Sequence, residues 1–98
     1  MYFAIIGEDV TDSLSLRLAA RPAHLQRLEQ LKTEGRLLLA GPFPVLHDDA
    51  SLTSFSGSLI VADFGSLEAC QAWANADPYV AAGVYSQVTI KPFKPVLP

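Results

Sequence analysis

The sequence predicts an α+β protein of the ferredoxin-like class, in which a four-stranded antiparallel sheet carries two helices on one face. The order of its segments is βαββαβ: four apolar segments have the composition of strands, and two have the apolar spacing of helices. No repeat or low-complexity stretch interrupts this order, so residues 1–98 are expected to form one domain. With right-handed crossovers, the strands lie in the spatial order 4-1-3-2.

The first strand is predicted over residues 2–8, which are rich in aromatic and β-branched side chains. Phe3 and Ile5 alternate with Ala4 and Ile6, so both faces of this strand are apolar. A strand that is apolar on both faces is covered on both faces.

The first helical region contains a proline. We predict a short helical run capped by Asp12 or Ser13, then a break at Arg21, because the residue before a proline is biased away from the α conformation. A helix then begins at Pro22, continues to Glu34 and ends at Gly35. Its apolar stripe comprises Leu25, Leu28 and Leu31.

The second and third strands form a long hairpin. Residues 36–40 are apolar on both faces and run into Gly41-Pro42-Phe43-Pro44. Two prolines remove donors from the hydrogen-bond ladder, so pairing is expected to stop or bulge there, which suits an edge strand. A polar loop within residues 45–57 connects this segment to the third strand, predicted over residues 58–64.

The second helix is expected to begin after Ser66, a good N-cap residue. Its predicted buried side comprises Leu67, Cys70, Trp73 and Ala74. Asp77-Pro78-Tyr79 ends this helix, Gly83 ends any short extra turn, and residues 84–93 form the last strand.

The composition limits the classes of partner. The chain is 50% apolar and only 17% charged, which is more apolar surface than a small monomer needs. Since two helices cover only one face of four strands, we expect a homodimer packed through the open sheet face, a dimeric α+β barrel. The net charge of −3 and the scattered basic residues argue against a nucleic-acid partner.

The single cysteine and the apolar N-terminal segment bear on location. Cys70 leaves no partner for an intramolecular disulfide, which fits a reducing compartment. Residues 2–6 are too few to span a bilayer and lack a preceding basic region. We therefore expect a cytoplasmic protein that does not enter membranes.

The predicted topology gathers His24, the Gly41-Pro42 turn and Asp77-Pro78-Tyr79 at one end of the domain. His24 lies within about 40° of Leu28 and Leu31 around its helix, on the inner side. It is either a core histidine satisfied by one hydrogen bond or a catalytic base that a carboxylate orients. Asp77 would supply that carboxylate, although a helix-ending turn residue is an alternative role for it.

The remaining polar residues favour no metal or cofactor site. His47 and Asp48-Asp49 belong to the polar loop, and Cys70 is in register with apolar neighbours, as expected for a small core residue. Neither zinc-ligand nor calcium-loop spacing is present, and no phosphate-binding glycine motif occurs. Tyr79 and Tyr85 could wall an apolar pocket or simply pack.

Several motifs resemble those of the YCII-related (YciI-like) family, in the same order and nearly from end to end. They are Arg21-Pro22-Ala23-His24-Leu25, residues 34–42, Ala76-Asp77-Pro78-Tyr79 and Lys91-Pro92-Phe93. The resemblance implies a ferredoxin-like dimeric α+β barrel and a candidate active site built on a His–Asp pair, here His24 and Asp77. It also implies chemistry such as dehydrochlorination of a chlorinated hydroxyhydroquinone, which one relative performs.

Three functions are compatible with these features. The first is a cofactor-independent enzyme in which His24 is the general acid or base, Asp77 orients it, and Gly41, Pro42 and Tyr79 contact the substrate; backbone N–H groups near Gly41 would stabilise an oxyanion. The second is a non-catalytic module that holds a small acidic or aromatic ligand. The third is a structural or interaction protein whose function is to form the dimer. The absence of a cavity beside His24 would indicate this function.

Overall fold

The computed structural model describes residues 1–46 and 54–98. Seven elements follow one another: β1 (Tyr2–Asp9), α1 (Leu14–Thr33), β2 (Leu37–Pro44), β3 (Phe55–Asp63), α2 (Leu67–Asn75), α3 (Pro78–Ala81) and β4 (Tyr85–Phe93). The antiparallel sheet has the order β2-β3-β1-β4, which confirms the predicted ferredoxin-like topology. Within the described part of the chain, no helix is both long enough and apolar enough to cross a bilayer.

One face of the sheet and the two longer helices enclose the core. In the β1–β3 pairing Phe3 lies opposite Ala62 and Ile5 opposite Ile60, so these side chains share a face. They form one buried cluster with Leu28 and Leu31 of α1, Cys70 and Ala74 of α2, and Phe64, which directly follows β3. Burying a side chain of the size of Leu or Phe stabilises a fold by roughly 1.5–3 kcal/mol, so this cluster fixes the helices on the sheet.

α1 is one continuous helix, and the predicted break at Arg21 is wrong. Pro22 lies in its interior, where it lacks the N–H that would bond to the carbonyl of Leu18. Pro22 is exposed, so water can reach that side of the helix. The buried residues Arg17 and His24 lie on either side of the proline, and packing of both halves against the sheet overrides its local effect.

The ends of α1 also differ in part from expectation. Ser13 occupies the N-cap position, but its hydroxyl donates to Asp9 of β1 instead of capping the helix. Gly35 has a φ of 72°, a left-handed conformation that favours glycine, and it ends the helix as predicted.

β2 is an edge strand, as predicted. Of the two outcomes expected at its prolines, an end of pairing or a bulge, the structure shows a shift of register and not an end. Gly41 pairs with Leu59 and Pro42 with Ser58, and the register shifts between Phe43 and Pro44, as it also does between Leu37 and Leu39. An edge strand has a ladder on one side only, so a proline that turns its nitrogen outward costs no hydrogen bond.

The cap of the second helix is confirmed, because the Ser66 hydroxyl accepts a hydrogen bond from the N–H of Ala69. Two predicted core residues are wrong: Leu25 is 38% exposed and Leu67 is 41% exposed. Leu67 lies in the first turn of α2, at the edge of the packed region. Leu25 borders the cavity described below.

The second face of the sheet also carries apolar side chains, and some of them are exposed. Alternation along the strands places Ile6, Leu59 and Leu39 on this face, opposite to that of Phe3 and Ile5. Leu39 is 46% exposed. This surface is called the open sheet face below.

Candidate active site

A cavity of about 410 Å³ lies between α1, the β2–β3 hairpin and α3. Its polar lining residues are Arg17, Arg21, His24, Ser58 and Tyr79. Its size is in the range of small-molecule sites, about 300–1,000 Å³. Among residues 1–46 and 54–98, the end of the domain beside His24 is therefore open to a small ligand.

His24 and Asp77 are in direct contact at the base of this cavity. The Nδ1 atom of His24 lies 2.9 Å from Oδ1 and 3.0 Å from Oδ2 of Asp77, and the residues are 7% and 4% exposed. A carboxylate only accepts hydrogen bonds, so Nδ1 carries the hydrogen and Nε2 is left free in the neutral ring. This arrangement fixes both the tautomer and the orientation of the imidazole.

The sequence explains why Asp77 points at the histidine. Asp77 is the N-cap of α3, and its Oδ1 also accepts a 2.8 Å hydrogen bond from the N–H of Tyr79. Pro78 follows at the first helical position, where its fixed φ starts the turn. The cap that begins α3 thus holds the carboxylate against α1.

Tyr79 packs flat on the imidazole of His24. Their ring centroids are 3.9 Å apart and the planes differ by 8°. Tyr85 contacts Tyr79 edge-on, at 5.7 Å between ring centroids. Gly7 lies against Tyr85, because a Cβ atom at that position would come within 2.6 Å of the Tyr85 ring. Burial raises the pKa of Tyr79, and it raises that of Tyr85 to about 12, so both phenols are neutral near pH 7.

Arg17 lines the cavity, and its buried guanidinium is bound by residues of β1 and β3. Its Nε and Nη2 atoms donate to the two carboxylate oxygens of Asp9 at 2.6 and 2.8 Å, and Nη2 also donates to the carbonyl of Gly57 and the hydroxyl of Ser58. Burial opposes the charge, but the hydrogen bonds and negative charge of Asp9 outweigh it and raise the pKa of Arg17. The guanidinium is therefore a fixed, charged part of the wall.

Arg21 lines the same cavity one turn after Arg17 and one turn before His24. In contrast to Arg17 it is exposed, and no hydrogen bond or ion pair to it is found among residues 1–46 and 54–98. Its positive charge opposes the rise in the pKa of Tyr79 that burial causes. Arg21 is thus close enough to affect groups inside the cavity.

The structure brings all five predicted site residues to this place. Gly41, Pro42, Tyr79 and His24 line the cavity, and Asp77 lies behind the imidazole. Gly41 is open to solvent, and a Cβ atom there would meet nothing within 4 Å. The space around it therefore does not require glycine, and Gly41 contributes only backbone atoms to the lining.

Arg17, Arg21 and Ser58 were not predicted as site residues. The signal for the arginines was present, since residues 17, 21 and 24 are spaced by four and three and share a helix face. The predicted break at Arg21 interrupted that periodicity. Ser58 lies in β3, and its sequence position does not show that its hydroxyl meets Arg17.

Cys70 contributes no chemistry to the cavity. Cys70 is fully buried in the core, as expected, and burial raises the pKa of its thiol to about 11, unlike that of a nucleophilic cysteine. Across the described residues, no three His, Cys, Asp or Glu side chains are grouped closely enough to hold a metal ion. His47, Asp48 and Asp49 lie outside the described residues.

The chain is similar to known proteins of one family. The YCII-related domain matches residues 1–94. The chain is 57% identical over 97 residues to Protein YciI of Escherichia coli O6:H1, and to that of Shigella flexneri, covering 98% of this chain and 99% of each relative. It is 50% identical over 97 residues to an uncharacterised protein of Haemophilus influenzae, with the same coverage.

A solved structure with the same fold is that of 5-chloro-2-hydroxyhydroquinone dehydrochlorinase (TftG) from Burkholderia phenoliruptrix AC1100, in complex with 2,5-dihydroxybenzoquinone. The TM-score is 0.85 at 25% identity, and the match covers 97% of this chain and 95% of the dehydrochlorinase chain. The fold and the family relationship predicted from the sequence are thus confirmed. The chain belongs to the YCII-related family.

Proposed function

We propose that the chain is a cofactor-independent enzyme that performs acid–base chemistry on a small cyclic or phenolic molecule. The observation that carries this proposal is the buried contact between His24 and Asp77 at the wall of a cavity of about 410 Å³. A histidine whose Nδ1 is held by a carboxylate has Nε2 free to exchange a proton with a molecule in the cavity. Proton transfer, isomerisation and elimination all need such a group.

In an elimination, Nε2 of His24 would remove a proton from the substrate. The electron pair left behind forms a new double bond, and the bond to the leaving group breaks, so that chloride departs with its bonding electrons. Asp77 stabilises the imidazolium that forms, since both residues are nearly inaccessible to water. Tyr79 keeps the ring in plane through the stacked contact.

The related dehydrochlorinase supports this class of substrate. Its name specifies a chlorinated hydroxyhydroquinone, and its structure contains a dihydroxybenzoquinone, both of which are single six-membered rings with oxygen substituents. The cavity of this chain has the size for such a ring, and apolar side chains of Leu28, Phe55 and Ile60 in its wall would contact the ring.

The test is release of chloride from 5-chloro-2-hydroxyhydroquinone, measured with the wild type and with His24→Gln. We expect the wild type to exceed the uncatalysed rate and His24→Gln to lose about 10²–10⁴-fold, the usual contribution of a general acid or base. Lys32→Gln, on the exposed side of the same helix, is the control and should keep the wild-type rate. Equal rates for wild type and His24→Gln would contradict the proposed role of His24.

A non-catalytic binding module is the second candidate, favoured by the same cavity. Thermal-shift screening of phenols, quinones and small acids against the wild type and His24→Ala separates the two. Ligands that stabilise both proteins and are recovered unchanged would favour the binding module. An interaction protein without a ligand site is disfavoured by the open cavity beside His24.

We also propose that two copies pack through the open sheet face in a homodimer. Ile6, Leu39 and Leu59 give this face the apolar character of a core, and a small domain would not leave it in water. Sedimentation at micromolar concentration should give twice the chain mass of 10.6 kDa, and Leu39→Lys should shift it towards the monomer. A monomer mass for the wild type contradicts the dimer.

The cytoplasmic location stays a prediction.

A further inference from the structure

We propose that the cavity selects anionic ligands, and that Arg21 binds their anionic oxygen. The ligand class is a small, flat molecule that carries one ionised oxygen group: a carboxylate, or an acidic phenol or enol. This inference rests on the proposed function in using the same cavity, and it adds to it the charge of the substrate and the residue that recognises it.

The charge of the cavity wall is opposite to that of the chain. The chain has ten acidic and seven basic residues and a net charge of −3. Among the described residues, however, the lining includes Arg17 and Arg21 but neither aspartate nor glutamate. A positive wall within an acidic protein attracts anions locally, while the rest of the surface repels them.

The two arginines do not contribute equally. Arg17 is bound by both carboxylate oxygens of Asp9, so its charge is already compensated inside the protein. Its Nη2 is further occupied by Gly57 and Ser58. In the described part of the chain Arg21 has no such partner, and its planar donor groups remain available to a ligand.

The position of Arg21 fits a ligand that also reaches His24. The two residues are three apart on α1, which puts their Cβ atoms about 5–6 Å from each other on one helix face. Leu18 and Leu25 border the cavity on the same side of the helix. A single ring could therefore lie against the leucines, with its ionised oxygen at Arg21 and its reacting atom at Nε2 of His24.

Benzoate and benzamide are matched probes of this inference, because they have the same shape and differ in charge. Binding is measured by following the backbone amide signals of α1 in two-dimensional NMR during titration. We expect benzoate to bind the wild type at least about tenfold more tightly than benzamide, as charge-assisted hydrogen bonds predict. We also expect this preference to weaken as ionic strength rises, because an exposed arginine is screened by salt.

Three variants assign the preference to Arg21. Arg21→Gln should lose the roughly tenfold preference for benzoate over benzamide. Arg21→Lys should keep part of it, since the charge remains but the two-pronged geometry is lost. Lys32→Gln removes the same charge from an exposed site outside the cavity and should behave as the wild type.

Several results would overturn the inference. They are equal affinity of the wild type for benzoate and benzamide, binding of neither probe up to its solubility limit, and a preference for benzoate that Arg21→Gln retains. These measurements involve no turnover, so they are independent of the chloride-release assay. If benzoate binds as expected and no chemistry is found with any substrate, the proposed reaction fails and the anion preference stands.

Discussion

Asp77 accepts two hydrogen bonds, one that caps α3 and one from His24. Two different substitutions of Asp77 therefore distinguish its effect on stability from its effect on activity. Its Oδ1 caps α3 by accepting from the N–H of Tyr79 at 2.8 Å, and the same carboxylate accepts from Nδ1 of His24 at 2.9 Å. Asp77→Ala removes both bonds. Losing the cap costs about 1 kcal/mol. Leaving the buried Nδ1–H without a partner costs about 1–3 kcal/mol. The free energy of unfolding should therefore fall by about 2–4 kcal/mol.

Asp77→Asn keeps the cap and changes the tautomer. Asparagine is as good an N-cap as aspartate, so the loss of stability should be only about 1 kcal/mol, the difference between a charged and a neutral hydrogen bond. The amide nitrogen, however, would take the place of Oδ2, 3.0 Å from Nδ1 of His24, and would donate to it. The ring hydrogen then moves to Nε2, which can no longer accept a proton from a substrate.

Urea unfolding measures the first effect, and long-range ¹H–¹⁵N correlation spectra of the imidazole measure the second. The expected result is a variant close to the wild type in stability, with the Nε2–H tautomer and about 10²–10⁴-fold lower activity. If Asp77→Asn retains the Nδ1–H tautomer, or if Asp77→Ala unfolds at the same urea concentration as the wild type, the reasoning about this pair is wrong.

Two further predictions concern α1 and the tyrosines. Pro22→Ala restores the hydrogen bond to the carbonyl of Leu18, so it should raise the free energy of unfolding by about 1–3 kcal/mol in urea; a decrease would contradict a continuous helix through this position. Burial raises the pKa of Tyr85 from 10.0 to about 12, so the phenol loses its proton at a higher pH in the folded state than in the unfolded state. This contribution to stability is complete below pH 10 and is lost as the pH rises towards 12. The stability difference between wild type and Tyr85→Phe should therefore shrink over that interval, and a constant difference would disagree with the burial of the phenol.

The element order and the meeting of His24 with Asp77 could be predicted because they depend on local patterns and on connectivity. Strand composition, the Ser66 cap and the left-handed Gly35 are local signals, and chain topology then carries two distant residues to the same end. The continuity of α1 could not be predicted in this way, since it results from packing on both sides of Pro22.

The same limit applies to the residues of the site that were not predicted. Arg17 acquires its role only when Asp9 and Ser58, from two different strands, close around it. No spacing along the chain indicates such a pair. The continuation of β2 through Pro42 likewise depends on which of its edges faces solvent, which is a property of the assembled sheet.

The hydrogen bonds that hold α1 in place have a consequence for how the chain acquires its site. His24 contacts a residue 53 positions later, and Arg17 contacts one 41 positions later. Contacts of such long sequence separation require large loops to close, so they form late in folding. The cavity should therefore be absent from any intermediate that lacks the docked C-terminal half. Ligand binding during refolding would then report the final step, and a nascent chain would have no site until Asp77 has left the ribosome.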